Sequence, residues 1–588
     1  MRLVPGALRQ SPIADLCLAV GAAVLLVALH GCAAPKAARL SSGLRLVGDG
    51  VTMNTLAFNA AIDNLSKAGG GTLSVRPGRY LTGTIYLRSD VTLHLENGAV
   101  LLGSTNLSDY PENQPPLPAS ALEFGRYSLI YAWGQHDVAI TGEGKIYGQG
   151  NAPNFTKKFL LALGWSTNDA YLKRPYGLCF VGCQRVQVRN VTLENIAFWT
   201  EDYLDCDDVL VDGISVDNLK DDYNNDGIDV DGSRNVRIAN CRFIAGDDGI
   251  CLKSSYAVCE NVTINNCTVR ALCNGVKLGT ASRGGFKNIS VANCVIEQTG
   301  VAGVALEVVD GGVLDGVTVA NLAMADVGTP VFIRLGDRGK KWTDEQPPAL
   351  PGTLRNVLIS GITATLARKD GTFACPISGL PGHPVENITL SNIRISLKEG
   401  FGKVQLDDYQ LGLQRAAKTT VTQRFSNDIK RVTAQVVPEN ASDYPEYSMF
   451  GPLPAYGFFC RHTKNLVLNN IDLGFDEEEY RSAVVFQDVR ELNIDGLRAR
   501  SLPEGNPVLL LRDVKDAFIS RCVAEKNAPV FLRAEGDSDR ISLLDSDLAQ
   551  ASAALSLDPA LEGRDITFDA GNATRFRKSP NTGEGSWH

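Results

Sequence analysis

The chain has 588 residues and a net charge of −9, so it lacks the basic footprint of a nucleic-acid binder, and no partner of that class is expected. Charged residues are 21% and hydrophobic residues 44%, which excludes a disordered chain. This length usually means several domains, but a solenoid can absorb it in one.

The N-terminus reads as an export signal. Arg2 and Arg9 precede an apolar run from Leu16 to Leu29, too short for a comfortable membrane span. The run ends in Leu29-His30-Gly31-Cys32, followed by Ala33-Ala34, which resembles the lipobox of a bacterial lipoprotein, although His30 is unusual there. That resemblance implies a signal peptide over 1–32, lipidation of Cys32, and a location at the bacterial outer membrane or periplasm. The membrane is then met only through the lipid. An ordinary cleaved secretory signal is the alternative.

From Thr55 to Ala68 apolar residues recur at helical spacing (Leu56, Phe58, Ala61, Ile62, Leu65), and Gly69 to Gly71 stop the pattern. A short helix here would cover the open first coil of a solenoid.

Short phrases of apolar–polar alternation follow, such as RNVRIANCRF from Arg234 and ENVTINNCTV from Glu260. Gly227, Gly249, Gly275 and Gly303 recur 22, 26 and 28 residues apart, each in a similar phrase. That period fits stacked coils, each adding one rung to a parallel sheet. Residues one period apart then lie roughly 4.8 Å apart. Asp226, Asp248, Asn274 and Ala302 should therefore form a column, with Asp247 beside it. Asn240, Asn266, Asn293, Asn321, Asn392 and Asn470 recur at a bend, where asparagine suits a left-handed backbone. Cys241, Cys267 and Cys294 fall at one place in successive repeats and should stack as apolar fillers. Cys251, Cys259 and Cys273 could pair, which sequence alone does not decide. No CxxC pair occurs, so no zinc site is expected.

The period breaks between Ser396 and Leu466, where about 70 residues replace two coils or fewer. The expected organisation is a β-helix over 44–535 with an insertion at about 397–463, then a coil and tail over 536–588. The insertion is either a wall at one end of a groove or a surface decoration.

The column contents suggest chemistry. The first rung holds Asp226, Asp229 and Asp231, and the second Asp247, Asp248 and Lys253. Then come Asn274 and Lys277, Glu307, and Arg334. Stacked buried carboxylates repel, so at least one should keep its proton. An acid and a base from one residue type are what glycosidic hydrolysis requires. Asp247 is read as the general acid, with Asp226 and Asp248 holding and deprotonating water. Asp229 and Asp231 read as turn residues, and Lys253 as a substrate contact or the counter-ion of Asp231. Glu307 and Arg334 are either an ion pair or substrate contacts. Acidic clusters also bind Ca²⁺, but Lys253 and Lys277 disfavour it, and no metal or cofactor is expected.

At Asn224-Asn225-Asp226-Gly227 and Gly246-Asp247-Asp248 the chain resembles glycoside hydrolase family 28, the polygalacturonase family. The resemblance runs from about Asp49 to Ile395 and implies an all-β, right-handed, single-stranded parallel β-helix. It also implies a hydrolase of pectic or related uronic-acid-containing polysaccharide, polygalacturonase-like or rhamnogalacturonan-type; inversion is expected if Asp247, leaning away from the closely stacked Asp226 and Asp248, opens the ~6.5–9.5 Å gap between acid and base. Two motifs depart: the family's Gly-His-Gly is Cys273-Asn274-Gly275 here, and its Arg-Ile-Lys is Ala305-Leu306-Glu307. The cations that hold a substrate carboxylate in the family are thus missing, and Lys253, Lys277 or Arg334 would have to replace them. Of the histidines, His136, His383 and His462 are candidates to assist. The expected partner is a polysaccharide or oligosaccharide, and the expected state is a monomer. A polysaccharide lyase on the same fold and a non-catalytic carbohydrate-binding β-helix are the alternatives.

Overall fold

The computed structural model describes residues 45–115, 127–155, 173–218, 224–341, 346–366, 374–400, 437–451, 453–569 and 576–578. The signal peptide expected over 1–32, with Cys32, lies outside the described residues. Among those described, no helix is long and apolar enough to cross a membrane.

The chain winds into a right-handed parallel β-helix. In the central coils each turn contributes three strands, and each strand pairs in parallel with its counterpart one coil on. One face stacks Glu201–Leu204, Ile228–Asp231, Ile250–Ser254, Val276–Ser282, Ala302–Val308 and Thr329–Leu335. The second face stacks Asp207–Asp212, Arg234–Ala239, Cys259–Asn265 and Phe286–Ala292, and the third begins with Ser215–Asp217 and Arg242–Ala245.

Alternation sets the interior. Val236 and Ile238 are buried, stacked between Val209 and Val211 below and Val262 and Ile264 above. The intervening Arg237 and Thr263 face water, as a pleat with one apolar face requires.

The recurring glycines have a steric cause. A Cβ on Gly227 would lie 2.4 Å from the carbonyl oxygen of Gly249, and one on Gly249 would lie 2.3 Å from Val269 Cγ1. On Gly275 it would lie 2.7 Å from the Gly303 oxygen. Successive coils meet backbone to backbone here, leaving no room for a side chain.

The asparagines at the bend are left-handed, with φ of 58° at Asn240 and 56° at Asn266. Their side chains link coils: Asn266 Nδ2 donates to Asn240 Oδ1 at 2.7 Å, and Asn470 Nδ2 to Asn392 Oδ1 at 2.8 Å. Cys241, Cys267 and Cys294 stack inside the core. The described cysteines are free thiols, including Cys251, Cys259 and Cys273.

The helix Thr55–Lys67 buries Ala57, Phe58, Ala61, Ile62 and Leu65 against the first coil. Asn59 satisfies that coil's edge, accepting from the Tyr86 amide and donating to the Thr84 carbonyl. At the other end, paired strands continue past 535 through Asp539–Leu544, Ala553–Leu557 and Phe576–Lys578. Paired strands thus run on within the 536–588 stretch, expected to hold a coil and a tail.

The insertion joins two strands that are themselves direct neighbours. Val385–Leu397 pairs in register with Thr463–Phe475 across it. Its returning part, residues 437–451 with Leu453, lies along the outside of the first sheet face, where Val437, Tyr447, Met449, Phe450 and Leu453 pack on Ala305, Phe332, Phe459, Val485 and Leu510.

Candidate active site

The site lies on the outer side of the first sheet face and on the turns that lead into it. Within each strand the inward positions are apolar, as in Val230, Leu252, Leu278 and Leu306. The outward neighbours form a column of Asp202, Asp229, Cys251, Lys277, Ala305 and Phe332.

Just before these strands the chain places Asp226, Asp248, Asn274 and Ala302 one above another. The amides of Gly227, Gly249 and Gly275 donate to the carbonyls of Asp248, Asn274 and Ala302 at 2.9, 2.8 and 2.8 Å. Carboxylate oxygens of Asp226 and Asp248 lie within 4.8 Å of each other, as do those of Asp247 and Asp248. Three carboxyl groups from two coils therefore share one pocket. Asp226 and Asp248 are each 3% exposed, and Asp247 is the member of the trio with an open edge.

Their surroundings differ. Asp248 accepts from the Asn274 amide at 3.0 Å, from Asn274 Nδ2 at 2.7 Å, and from Lys277 Nζ at 3.1 Å. Burial works against ionisation, but Lys277, Lys253 and Asn274 together hold Asp248 below the usual carboxylate range. Asp247 has one backbone donor, the Asn224 amide at 2.9 Å, and burial with the Asp248 charge raises its pKa. Burial, then Asp229 and Asp247, push Asp226 well above the usual range. The pocket thus favours ionisation at Asp248 and disfavours it at Asp247 and Asp226.

Lys253 lies in register with Asp231, yet its ammonium pairs with Asp229 Oδ1 at 2.9 Å and sits 4.7 Å from the Trp199 ring centre. Asp231 instead accepts from the Ser255 amide and hydroxyl at 2.8 and 2.6 Å, pinning the turn. Glu307 and Arg334 are stacked neighbours, but their charges do not meet. Both carboxyl oxygens of Glu307 lack a hydrogen-bond partner, and burial, opposed by Lys277, raises its pKa to about 8. Arg334 is 0% exposed and donates to Ser378 Oγ and to the carbonyls of Gly379, Glu439 and Asn440. Its place is under the returning segment, where no sugar reaches it.

Two residues escaped the sequence reading. Tyr444, on the returning segment, places its hydroxyl 3.3 Å from Lys277 Nζ and its ring centre 5.4 Å from that ammonium. Glu446 feels Lys277, Asp248 and Asp247, and burial raises its pKa. No periodic signal marks either, because they arrive from outside the repeat. The candidate histidines lie elsewhere: His136 against Asp137, His462 between Glu439 and Asp488, and His383 in a bridge to Leu380.

Asp226, Asp248 and Cys251 have the donor spacing of a metal site, as do Asp247, Asp248 and Cys273. Lys277 already supplies positive charge at Asp248, so a cation there would meet an ammonium group.

Residues 124–407 match the family described as Glycosyl hydrolases family 28. Over those residues the chain is a family 28 glycosyl hydrolase. A probable polygalacturonase of Vitis vinifera is 29% identical over 68% of this chain and 79% of its own length. An exo-poly-alpha-D-galacturonosidase of Dickeya chrysanthemi is 25% identical over 59% of this chain and 66% of its own. The crystal structure of a hyperthermoactive exopolygalacturonase from Thermotoga maritima shares the fold, with a TM-score of 0.50 and 22% identity, covering 63% of this chain and 91% of that one. Within this family 28 hydrolase, Asn274 and Glu307 stand at the two departures from the family motifs. Asn274 orients Asp248, and Glu307 lies buried beyond Lys277 with no partner for its carboxyl oxygens.

Proposed function

We propose that this hydrolase cleaves a pectic or related uronic-acid-containing polysaccharide, polygalacturonan or rhamnogalacturonan in type, with inversion at the anomeric carbon. The observation that carries the reading is the contrast between two adjacent carboxyls. Asp247, raised and open at one edge, is suited to protonating the leaving oxygen. Asp248, held ionised by Lys277 and Asn274, is suited to taking a proton from water. Asp226 and Asp247 each bring a carboxylate oxygen within 4.8 Å of one on Asp248, closer than the ~6.5–9.5 Å of an inverting pair, so spacing does not choose the acid and the choice rests on the open edge of Asp247. Asp226, buried beside Asp248, is assigned with it to holding the water, and Asp247 to the leaving oxygen. The names of the plant and bacterial relatives support a galacturonan substrate.

A neutral sugar at the cleaved unit is the second reading. It is favoured by the commitment of the nearby cations: Lys253 to Asp229, Lys277 to Asp248, and Arg338 to Asp310. Export through the 1–32 leader, with a lipid on Cys32, would place the enzyme where such polymers are met.

The test is a panel of pectic fractions, acidic and neutral, followed by reducing-end assay and by NMR of the first-formed anomer. New reducing ends with inverted configuration support the proposal. Retained configuration would overturn the mechanism. Products absorbing in the ultraviolet, together with loss of activity on chelation, would replace hydrolysis by a lyase reaction.

A further inference from the structure

We infer that residues 437–451 close one end of the sugar groove, that the enzyme therefore works from chain ends, and that Tyr444 is the wall residue the terminal sugar meets. The inference rests on the hydrolase reading above.

On an open β-helix the outward column of the first sheet face would run on as a continuous trough. Here it stops. Beyond Lys277 the outward residues Ala305, Phe332, Phe459, Val485 and Leu510 are covered by the returning segment. The covering is anchored as well as apolar. Arg461 donates to the carbonyls of Val437 and Pro438 at 2.8 and 2.7 Å, and Arg334 to that of Glu439 at 2.6 Å. Both guanidiniums are 0% exposed, both share Ser378 Oγ, and both lie within 5.3 Å of the Phe450 ring centre. His462 adds a bond to Glu439 at 3.0 Å. A segment held by consecutive backbone carbonyls on two buried arginines is a fixed wall.

Its position decides the consequence. The rung of Ala305 is two strand spacings beyond that of Cys251, the strand Asp248 leads into, which is roughly 10 Å and room for about one pyranose ring. Tyr444 leans back across that space onto Lys277, with Arg338 5.8 Å from the ring centre. The tyrosine is 53% exposed, so it presents both a ring and a hydroxyl to the pocket. A polymer cannot continue past it, so the unit beside the wall must be terminal. An aromatic ring with a polar tip is suited to holding such a unit.

The experiment follows viscosity and reducing ends together during digestion of the hydrolysed pectic fraction by the full-length enzyme. Expected is a steady rise in reducing ends with little viscosity loss, and one small product from the earliest time points. A steep viscosity fall at few new ends, with a ladder of long oligomers, would overturn the inference while leaving the hydrolase reading intact. Release of nothing from any fraction would sink both. Tyr444→Ala, at an exposed position, should raise KM on short oligosaccharides about tenfold with kcat falling much less. An unchanged KM would remove Tyr444 from the wall. Arg461→Met should loosen the wall and lengthen the products. If Arg461→Met does not fold, the viscosity test on the unaltered enzyme still decides.

Discussion

Tyr444 and Lys277 are 167 residues apart in sequence, and the tyrosine hydroxyl lies 3.3 Å from the lysine ammonium. The same ammonium is 3.1 Å from Asp248 Oδ2. Lys277 therefore joins the insertion to the carboxyl pocket and sets the charge of one acid in it. Without it, burial at Asp248 would be opposed only by Lys253 and Asn274, and its pKa would rise.

Lys277→Met should move the acidic limb of the pH profile of kcat/KM to higher pH. The base must be ionised, and Asp248 now ionises below its ordinary range with help from Lys277 and Asn274. Asn274→Ala should shift the limb the same way, since it deletes the 2.7 Å side-chain donor. Loss of a hydrogen bond to a charged group, worth about 1.5–3 kcal/mol, corresponds to a fall of about ten- to a hundredfold in kcat. An unmoved acidic limb in both variants would remove Asp248 as the base.

Asp247→Asn should abolish hydrolysis while the thermal midpoint stays close to that of the parent. The amide cannot give up a proton to a leaving oxygen. It can still accept from the Asn224 amide, which is the bond that holds the side chain at 2.9 Å. Loss of the repulsion from Asp248 compensates for any weakening of that bond. Initial rates by reducing-end assay and a melting curve on the same preparation make the check. Substantial residual rate would show that the acid is elsewhere.

The fold was legible because a solenoid repeats its constraints. Glycines at 227, 249, 275 and 303 mark where backbones touch, and asparagines at 240 and 266 mark a left-handed bend, so register could be read before any contact was known. That register carried the acid trio with it. Arg334 was harder. In sequence it continues the column as one more outward cation, and only the docking of residues 437–451 turns it into a buried anchor. Lys253 reached diagonally to Asp229 instead of along its own column, a choice made by side-chain length and by Trp199 rather than by period. Tyr444 and Glu446 had no periodic address at all.

Stability should fall as pH rises from about 4.5 to about 8. Burial raises the pKa of both Glu201 and Glu307 to about 8, and in the unfolded chain each would ionise near 4.5. A raised acid favours the folded state only while it stays protonated. Its contribution is whole below the unfolded pKa and is lost as pH climbs toward the folded one. Glu201 faces the coil interior, stacked on Leu178, with Tyr203 as the donor to one of its oxygens. Melting curves across this range should slope downward, and the double variant Glu201→Gln with Glu307→Gln should flatten them. A slope unchanged in that variant would mean that other groups set it.

Gly249→Ala should destabilise the enzyme by about 1–3 kcal/mol or more, and should do so through the register that builds the site. The added methyl would lie 2.3 Å from Val269 Cγ1 and 2.7 Å from the Gly275 carbonyl oxygen. Val269 is a fully buried core residue and the carbonyl is backbone, so neither can swing aside. Relief must come from lifting the coil of Asp247 and Asp248 away from that of Asn274. The first bonds to lengthen are Asn274 to Asp248 and the Gly249 amide to the Asn274 carbonyl at 2.8 Å. The variant should therefore lose activity at temperatures where it is still folded, together with a lower melting midpoint. Gly563→Ala is the control: a Cβ there meets nothing within 4 Å, though its φ of 87° carries its own strain, and it lies on a remote coil. It should lower the midpoint without touching kcat. Equal loss of activity in both would mean that coil spacing at Gly249 is not what aligns the acids.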